Sequence, residues 1–317
     1  MKRIMVTGGS GFVGRTLLER LHQEGYGLIA PSRTPLARAP AGVVNPLVAG
    51  LAADVDWSAS LEGAAVVIHS AARVHVMNDT AADPLVEFRK ANVDGTLSLA
   101  RLAAAAGVQR FIFLSSIKVN GEGTELGHPY RADDTPDPQD PYGVSKMEAE
   151  QGLRALASET GMEVVIIRPV LVYGPGVKAN FRSMMSWLSK GIPLPLGATG
   201  NKRSLVAVDN LVDLIATCID HPAAANQTFL VSDGEDLSTT QLLQRMGSAL
   251  GRPARLLPVP ASLLQAGAAM LGRRAIAQRL CGSLQVDITK TRELLGWTPP
   301  VSVDDALRRT ARAFAAG

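Results

Sequence analysis

The chain has 317 residues, of which 46% are hydrophobic and 19% charged, which is enough apolar material for a large buried core and excludes a disordered chain. The formal net charge is only +3, and the basic residues are scattered apart from short pairs such as Arg273-Arg274 and Arg308-Arg309, so a nucleic-acid partner is not implied. The two cysteines, Cys218 and Cys281, fall in apolar helix-like runs; they read as buried thiols in a reducing compartment, and no zinc-type spacing or other metal-ligand set is present.

Behind Met1-Lys2-Arg3, the apolar run Ile4 to Thr7 is too short for the core of a signal peptide, and a cytoplasmic location is expected. The run predicts a strand. It leads into Thr7-Gly8-Gly9-Ser10-Gly11-Phe12-Val13-Gly14, after which Phe12, Val13, Leu17, Leu18 and Leu21 recur at helical spacing. In this strand-turn-helix the three glycines have separate jobs. Gly8 frees the turn from a Cβ, Gly11 lets backbone approach a pyrophosphate, and Gly14 lets the helix sit close on the strand. Phosphates are favoured there by the free N–H groups and the dipole of the helix N-terminus, so residues 8–14 predict a dinucleotide site.

A second strand, Gly27 to Ala30, ends in Pro31-Ser32-Arg33-Thr34. An acidic residue at this place accepts the ribose hydroxyls of NAD, whereas Ser32 and Arg33 offer donors and charge to the 2′-phosphate of NADP. NADP is therefore the expected cofactor, with NAD the alternative if Arg33 points to solvent. Further strands are predicted at Val66–His69, Phe111–Ser115 and Val164–Arg168, with a long helix over Leu85–Ala106 closed by Gly107. The alternation predicts an α/β fold, a Rossmann-type doubly wound parallel sheet. The Pro-, Asp- and Gly-rich segment 121–141 reads as a long loop over the site.

Pro141 opens a helix in which Tyr142 and Lys146 lie one turn apart on one face, and Thr160-Gly161 closes it. An ammonium so placed favours the phenolate, and with an oxidised nicotinamide ring it would bring a phenol that normally titrates near ~10 towards neutrality, where general acid/base chemistry works best. Ser116, ending the run that begins at Phe111, can hydrogen-bond the same reacting oxygen. After Tyr173 the periodicity loosens, which predicts a division into residues 1–173, binding the dinucleotide, and 174–317, a smaller α/β substrate lobe. Segments near 204–231, notably Asp209–Cys218 and Gln227–Val231, are expected to return to the main sheet. The apolar stretch Ala261 to Gly272 is too short to span ~30 Å of hydrocarbon, so no stable membrane insertion is expected and a core or interface helix is.

These motifs, in this order over nearly the whole chain, resemble the extended short-chain dehydrogenases/reductases, the NAD-dependent epimerase/dehydratase family that acts on nucleotide sugars. Matching places are the glycine motif, Asp54-Val55 in the adenine loop, His69-Ser70-Ala71-Ala72 after the strand, Asn92, Ser115-Ser116, Tyr142 with Lys146, and Arg168-Pro169. The resemblance implies cofactor contacts at Asp54, Val55, Ala71, Ala72, Asn92, Ser115 and Pro169, and nucleotide-diphosphate contacts at Asn180 and Arg203, with Arg279 as a second phosphate contact. His75 and Lys118 stand where a sugar contact is expected, although Lys118 and the unusual Asn120 read equally as packing residues. Dimerisation through Leu85–Ala106 and Tyr142–Glu159 is also implied.

Within that family, dehydratases carry an Asp-Glu pair after the catalytic hydroxyl residue; here Ile117-Lys118 stand there, so dehydration is not expected. The expected activity is NADPH-dependent C4 reduction of a UDP-4-keto-6-deoxy-N-acetylhexosamine for surface polysaccharide, with Tyr142 giving the proton. The alternatives are an NAD-dependent UDP-hexose 4-epimerase and, more remotely, a non-catalytic dinucleotide-binding sensor.

Overall fold

Short runs of two to seven residues, mostly β-branched or apolar, become the strands of the computed structural model, which describes residues 1–74, 83–270, 272 and 274–316. Among the described residues the main sheet contains β1 (Arg3–Thr7), β2 (Gly27–Ile29), β3 (Val66–His69), β4 (Arg110–Leu114), β5 (Glu163–Pro169) and β8 (Thr228–Val231). All are parallel, in the order β2-β1-β3-β4-β5-β8. The order reverses beside β1, and in open α/β sheets the crevice beyond the strand ends at that point receives the ligand. A second sheet joins β6 (Leu171–Tyr173), β7 (Arg203–Ala207) and β9 (Asp236–Leu237). Of the segments expected to return, residues 228–231 lie in the main sheet, whereas 204–207 do not: their backbone pairs with β6 and β9.

Helices cover both faces of the main sheet. In the first half they are α1 (Phe12–Gln23), α2 (Ser58–Leu61), α3 (Pro84–Arg89), α4 (Gly95–Ala105) and α5 (Pro141–Thr160). Then follow α6 (Ala179–Ser189), α7 (Val208–Asp220), α8 (Thr239–Ala249), α9 (Ala261–Met270), α10 (Arg274–Cys281), α11 (Thr289–Leu295) and α12 (Val303–Ala315). One buried cluster packs α1 and α7 on one face of the sheet; a second packs α4 and α5 on the other. A third lies in the smaller lobe, between α6, α8 and α12.

The helix expected over 85–106 is interrupted. α3 and α4 are joined by a π-helical turn, Lys90–Asp94, a distortion frequent at functional sites. The buried amide of Asn92 sits inside it, accepting from Arg73 N at 2.8 Å and donating to Arg73 O and Ser145 Oγ, both at 3.0 Å. Just beyond, Gly95 lets α4 touch the loop before α2, because a Cβ there would stand 1.7 Å from Leu51 O. Gly95→Ala should therefore cost about 1–3 kcal/mol of stability by overpacking and, by displacing residues 50–52, weaken dinucleotide binding. Calorimetry and a binding titration check the two effects.

His69 bridges three elements. Its Nδ1 is 2.8 Å from Thr7 Oγ1 in β1 and its Nε2 is 3.0 Å from Thr96 Oγ1 in α4, with the ring stacked on Phe113. Burial first, and then the Lys146 charge, push its pKa down to about 3. The folded state holds the ring neutral while the unfolded chain protonates it near ~6.5. Stability is therefore lost as pH falls from about 6.5 towards 3, by at most ~1.4 kcal/mol per pH unit from this group. Melting temperatures over that range should fall less steeply in His69→Gln, although the variant is less stable at pH 7; an unchanged slope would refute the assignment.

Candidate active site

Beyond the ends of β1 and β3 lies a cleft of about 1050 Å³. Its floor is the glycine turn. Gly8 has φ +76°, and a Cβ there would stand 2.8 Å from Ala71 N; at Gly14 a Cβ would meet Gly8 O at 2.1 Å. Any side chain at either place would push the loop off α1 or off the turn after β3. The N-cap of α1 is Gly11, which supplies no capping side chain, and its first turn holds no acid, so the leading N–H groups are left for an outside acceptor. This cradle fits the pyrophosphate of a dinucleotide.

Gly8, Ser10, Gly11, Phe12, Val13, Gly14, Ser32, Arg33, Ala71, Ala72, Ser115, Ser116, Tyr142, Lys146 and Pro169 all border this one cleft. The topology brings together what the sequence spreads over the ends of five strands and one helix. Gly50, Leu51, Ala52 and Trp57 also line the wall without having been singled out in the sequence, because a lining made of backbone and apolar side chains carries no motif.

Some expected contacts are elsewhere. Asp54 and Val55 do not border the cleft; Asp54 is exposed and the Val55 side chain is packed into the core with Trp57. Asn92 does not border it either, since its amide is consumed by Arg73 and Ser145. Lys118 Nζ is paired with Glu122 and with Asp140, the cap of α5. Asn180, Arg203 and Arg279 stand outside this cleft on the smaller lobe. Arg203 Nη1 donates to Arg279 O at 3.2 Å and Gly282 O at 3.1 Å, and burial together with the Arg279 charge lowers its pKa. His75 lies outside the described residues.

At the reacting end, Asp140 caps α5 by accepting from Gly143 N at 2.7 Å, and Pro141 fixes the first turn. Tyr142 meets the edge of Phe88. Lys146 Nζ donates to Leu114 O at 2.9 Å and stands 4.3 Å from the Phe113 ring centroid. Burial pushes Lys146 down to about 7, partly opposed by Glu150, while burial and then Asp140 push Tyr142 up to about 12. The expected lowering of the phenol's pKa calls for Lys146 together with an oxidised nicotinamide ring, and without the ring burial and Asp140 hold Tyr142 above its ordinary value. Ser116 Oγ accepts from Lys118 N at 3.2 Å, which holds the hydroxyl at the turn and leaves its own proton to give.

Below this surface is a charged network that sequence reading missed. Glu150 Oε1 accepts from Ser115 Oγ at 2.6 Å and from Arg168 Nε at 2.9 Å, and its Oε2 accepts from Arg168 Nη2 at 2.6 Å. Arg168 also donates to Asn120 Oδ1 at 3.0 Å, so Asn120 is a packing residue. The available signal was position: Glu150 follows Lys146 by one turn on the same face of α5.

Residues 4–232 match the NAD dependent epimerase/dehydratase family. The chain is 49% identical over 314 residues, 99% of its length and 95% of the relative's, to a UDP-glucose 4-epimerase of Vibrio cholerae. A UDP-glucose 4-epimerase of Mycolicibacterium smegmatis is 28% identical, with 98% of each chain covered. In fold, the chain is similar to the UDP-N-acetylglucosamine 4-epimerase from Bacillus cereus, with TM-score 0.81 and 19% identity over 99% of this chain and 100% of that one. With a motif-bearing cleft, a family match over most of the chain and a near-full-length relative, this chain belongs to the NAD dependent epimerase/dehydratase family.

Proposed function

We propose that this protein is a 4-epimerase of UDP-hexoses that keeps its dinucleotide, NAD, through the cycle. The observation that carries this reading over a reductase is the 49% identity, end to end, with the Vibrio cholerae UDP-glucose 4-epimerase. When bound, a nicotinamide ring supplies the hydride acceptor and donor. The chain's own residues then do the proton work. Tyr142 takes the proton of the C4 hydroxyl and returns it, Ser116 donates a hydrogen bond to the C4 oxygen, and Lys146 holds the ribose beside the phenol. Asn180, Arg203 and Arg279 take the diphosphate, and that binding energy fixes a carbon far from it. Burial and then the Arg279 charge disfavour the charge of Arg203, so a dianion beside it relieves that penalty.

The reductase reading keeps one specific observation. No carboxylate stands at the end of β2, and Arg33 borders the cleft there. Against it, the Ser32 hydroxyl already donates to Thr34 O at 2.6 Å and accepts from Asn45 at 2.8 Å, which removes one of the two groups meant for a 2′-phosphate.

Incubation of the protein with UDP-glucose or UDP-N-acetylglucosamine and no added cofactor should yield the C4 epimer, and denatured protein should release NAD. Absence of both, together with stoichiometric NADPH oxidation by a UDP-4-keto-6-deoxy sugar, would replace the epimerase by the reductase. Tyr142→Phe should lower turnover by roughly 10²–10⁴-fold, the usual range for a lost general acid/base, with dinucleotide content unchanged. Turnover within a few fold of the parent would remove Tyr142 from the chemistry.

A further inference from the structure

Two stretches of the chain are basic without any acid, residues 164–208 with six lysines and arginines and residues 237–286. Residues 237–286 hold six arginines and no lysine, aspartate or glutamate, while the rest of the chain carries all 29 acidic residues against 26 basic ones. Arg245 is neutralised by Glu235 and Asp304. Arg252 and Arg255 are exposed and make no ion pair among the described residues. The nearest tie is neutral, from Arg252 Nη1 to Ser189 O at 2.9 Å.

The same stretch exposes apolar surface. α9 has no charged residue and none of its 10 residues is buried, although Leu264 packs against the third cluster, so of the expected core or interface helix the core alternative is not met. Leu263 is 63% and Met270 89% exposed. Leu257, 52% exposed, lies in the strap before α9. That strap pairs with the chain after α6 through Leu257 N to Leu194 O at 2.8 Å, close in sequence to the exposed Ile192 and Trp187. Apolar patches of this kind mark interaction surfaces.

The occupant follows from the charge. A second copy would set the same positive field against itself, and a phosphate backbone, which binds through basic groups, would leave most of this apolar surface uncovered. Anionic lipid satisfies both halves: leucine and methionine enter the acyl boundary, guanidinium groups meet headgroup phosphates, and an exposed tryptophan suits the interface. We propose that α9, α10 and the strap from Arg252 to Pro260 dock this protein peripherally on a membrane surface bearing anionic lipid. No helix among the described residues is long and apolar enough to cross a membrane, so attachment is reversible. The docked lobe is the one carrying Arg203, whose guanidinium reaches Arg279 of α10.

Flotation of the full chain with vesicles of phosphatidylcholine, with and without phosphatidylglycerol, tests this. The protein should float with the anionic vesicles alone and be released near ~0.5 M salt. Leu263→Glu and Arg255→Glu should each lower the bound fraction roughly tenfold, with circular dichroism, melting temperature and turnover of soluble nucleotide sugar unchanged. No flotation, equal flotation with neutral vesicles, or full binding by Leu263→Glu would overturn the proposal. So would a Leu263→Glu variant that dissociates an oligomer in sedimentation velocity, which would assign the patch to a second copy.

Discussion

The buried ion pair of Glu150 and Arg168 is the interaction on which the site depends. Both side chains are almost wholly shielded, and their contact at 2.6 Å joins α5 to β5. Removing one partner of such a pair typically costs about 3–5 kcal/mol, because the other charge is stranded. Glu150 also fixes Ser115, Arg168 fixes Asn120 and the carbonyl of Ala132, and Arg154 ties Glu150 to Thr228 at the far edge of the sheet. One carboxylate thus sets α5 against β4, β5 and the long loop before Pro141. Since Tyr142 and Lys146 ride on α5, their distance from the sheet is set by a group that never reaches the cleft.

The other end of the cleft is shaped by the absence of side chains. Gly8, Gly14 and Gly95 are places where a Cβ would collide with backbone. Their contacts draw α1 onto the β1 turn, the β1 turn onto the segment after β3, and α4 onto the loop at Leu51. Asn92 complements them by clamping Arg73 to Ser145, which links the wall after β3 to α5. The π-helical turn around Asn92 is the cost of presenting that amide inward while α3 and α4 both stay packed.

The parts legible in the sequence were those with local causes. A glycine-rich turn between an apolar run and a helical pattern, a proline at a helix start and a glycine at its end, Gly161 with φ 75°, each act within a few residues. Parts decided by partners far along the chain were not legible. Lys118 and Asn120 could be sugar contacts or packing until Asp140 and Arg168 were placed beside them. Asp54 and Val55 fit a motif, yet the turn there sends Val55 into the core and leaves the wall to Ala52 and Trp57. Strand β7 has the composition of a main-sheet strand; its allegiance to β6 and β9 is fixed only by tertiary pairing.

Burial treats the two titrating residues of the reacting end alike, by disfavouring charge. It raises Tyr142 to about 12 and lowers Lys146 to about 7, so both tend towards neutral forms. Glu150 opposes this at Lys146, being the charge one turn away, and Asp140 reinforces it at Tyr142. The phenol is therefore a proton donor by default and becomes an acceptor only when positive charge is brought to it. Lys146 cannot supply that alone, because Leu114 O and the Phe113 ring hold its ammonium and the same burial weakens its charge. In the proposed epimerase, an oxidised nicotinamide ring in the cleft would supply that charge and couple the acid/base role of Tyr142 to cofactor binding.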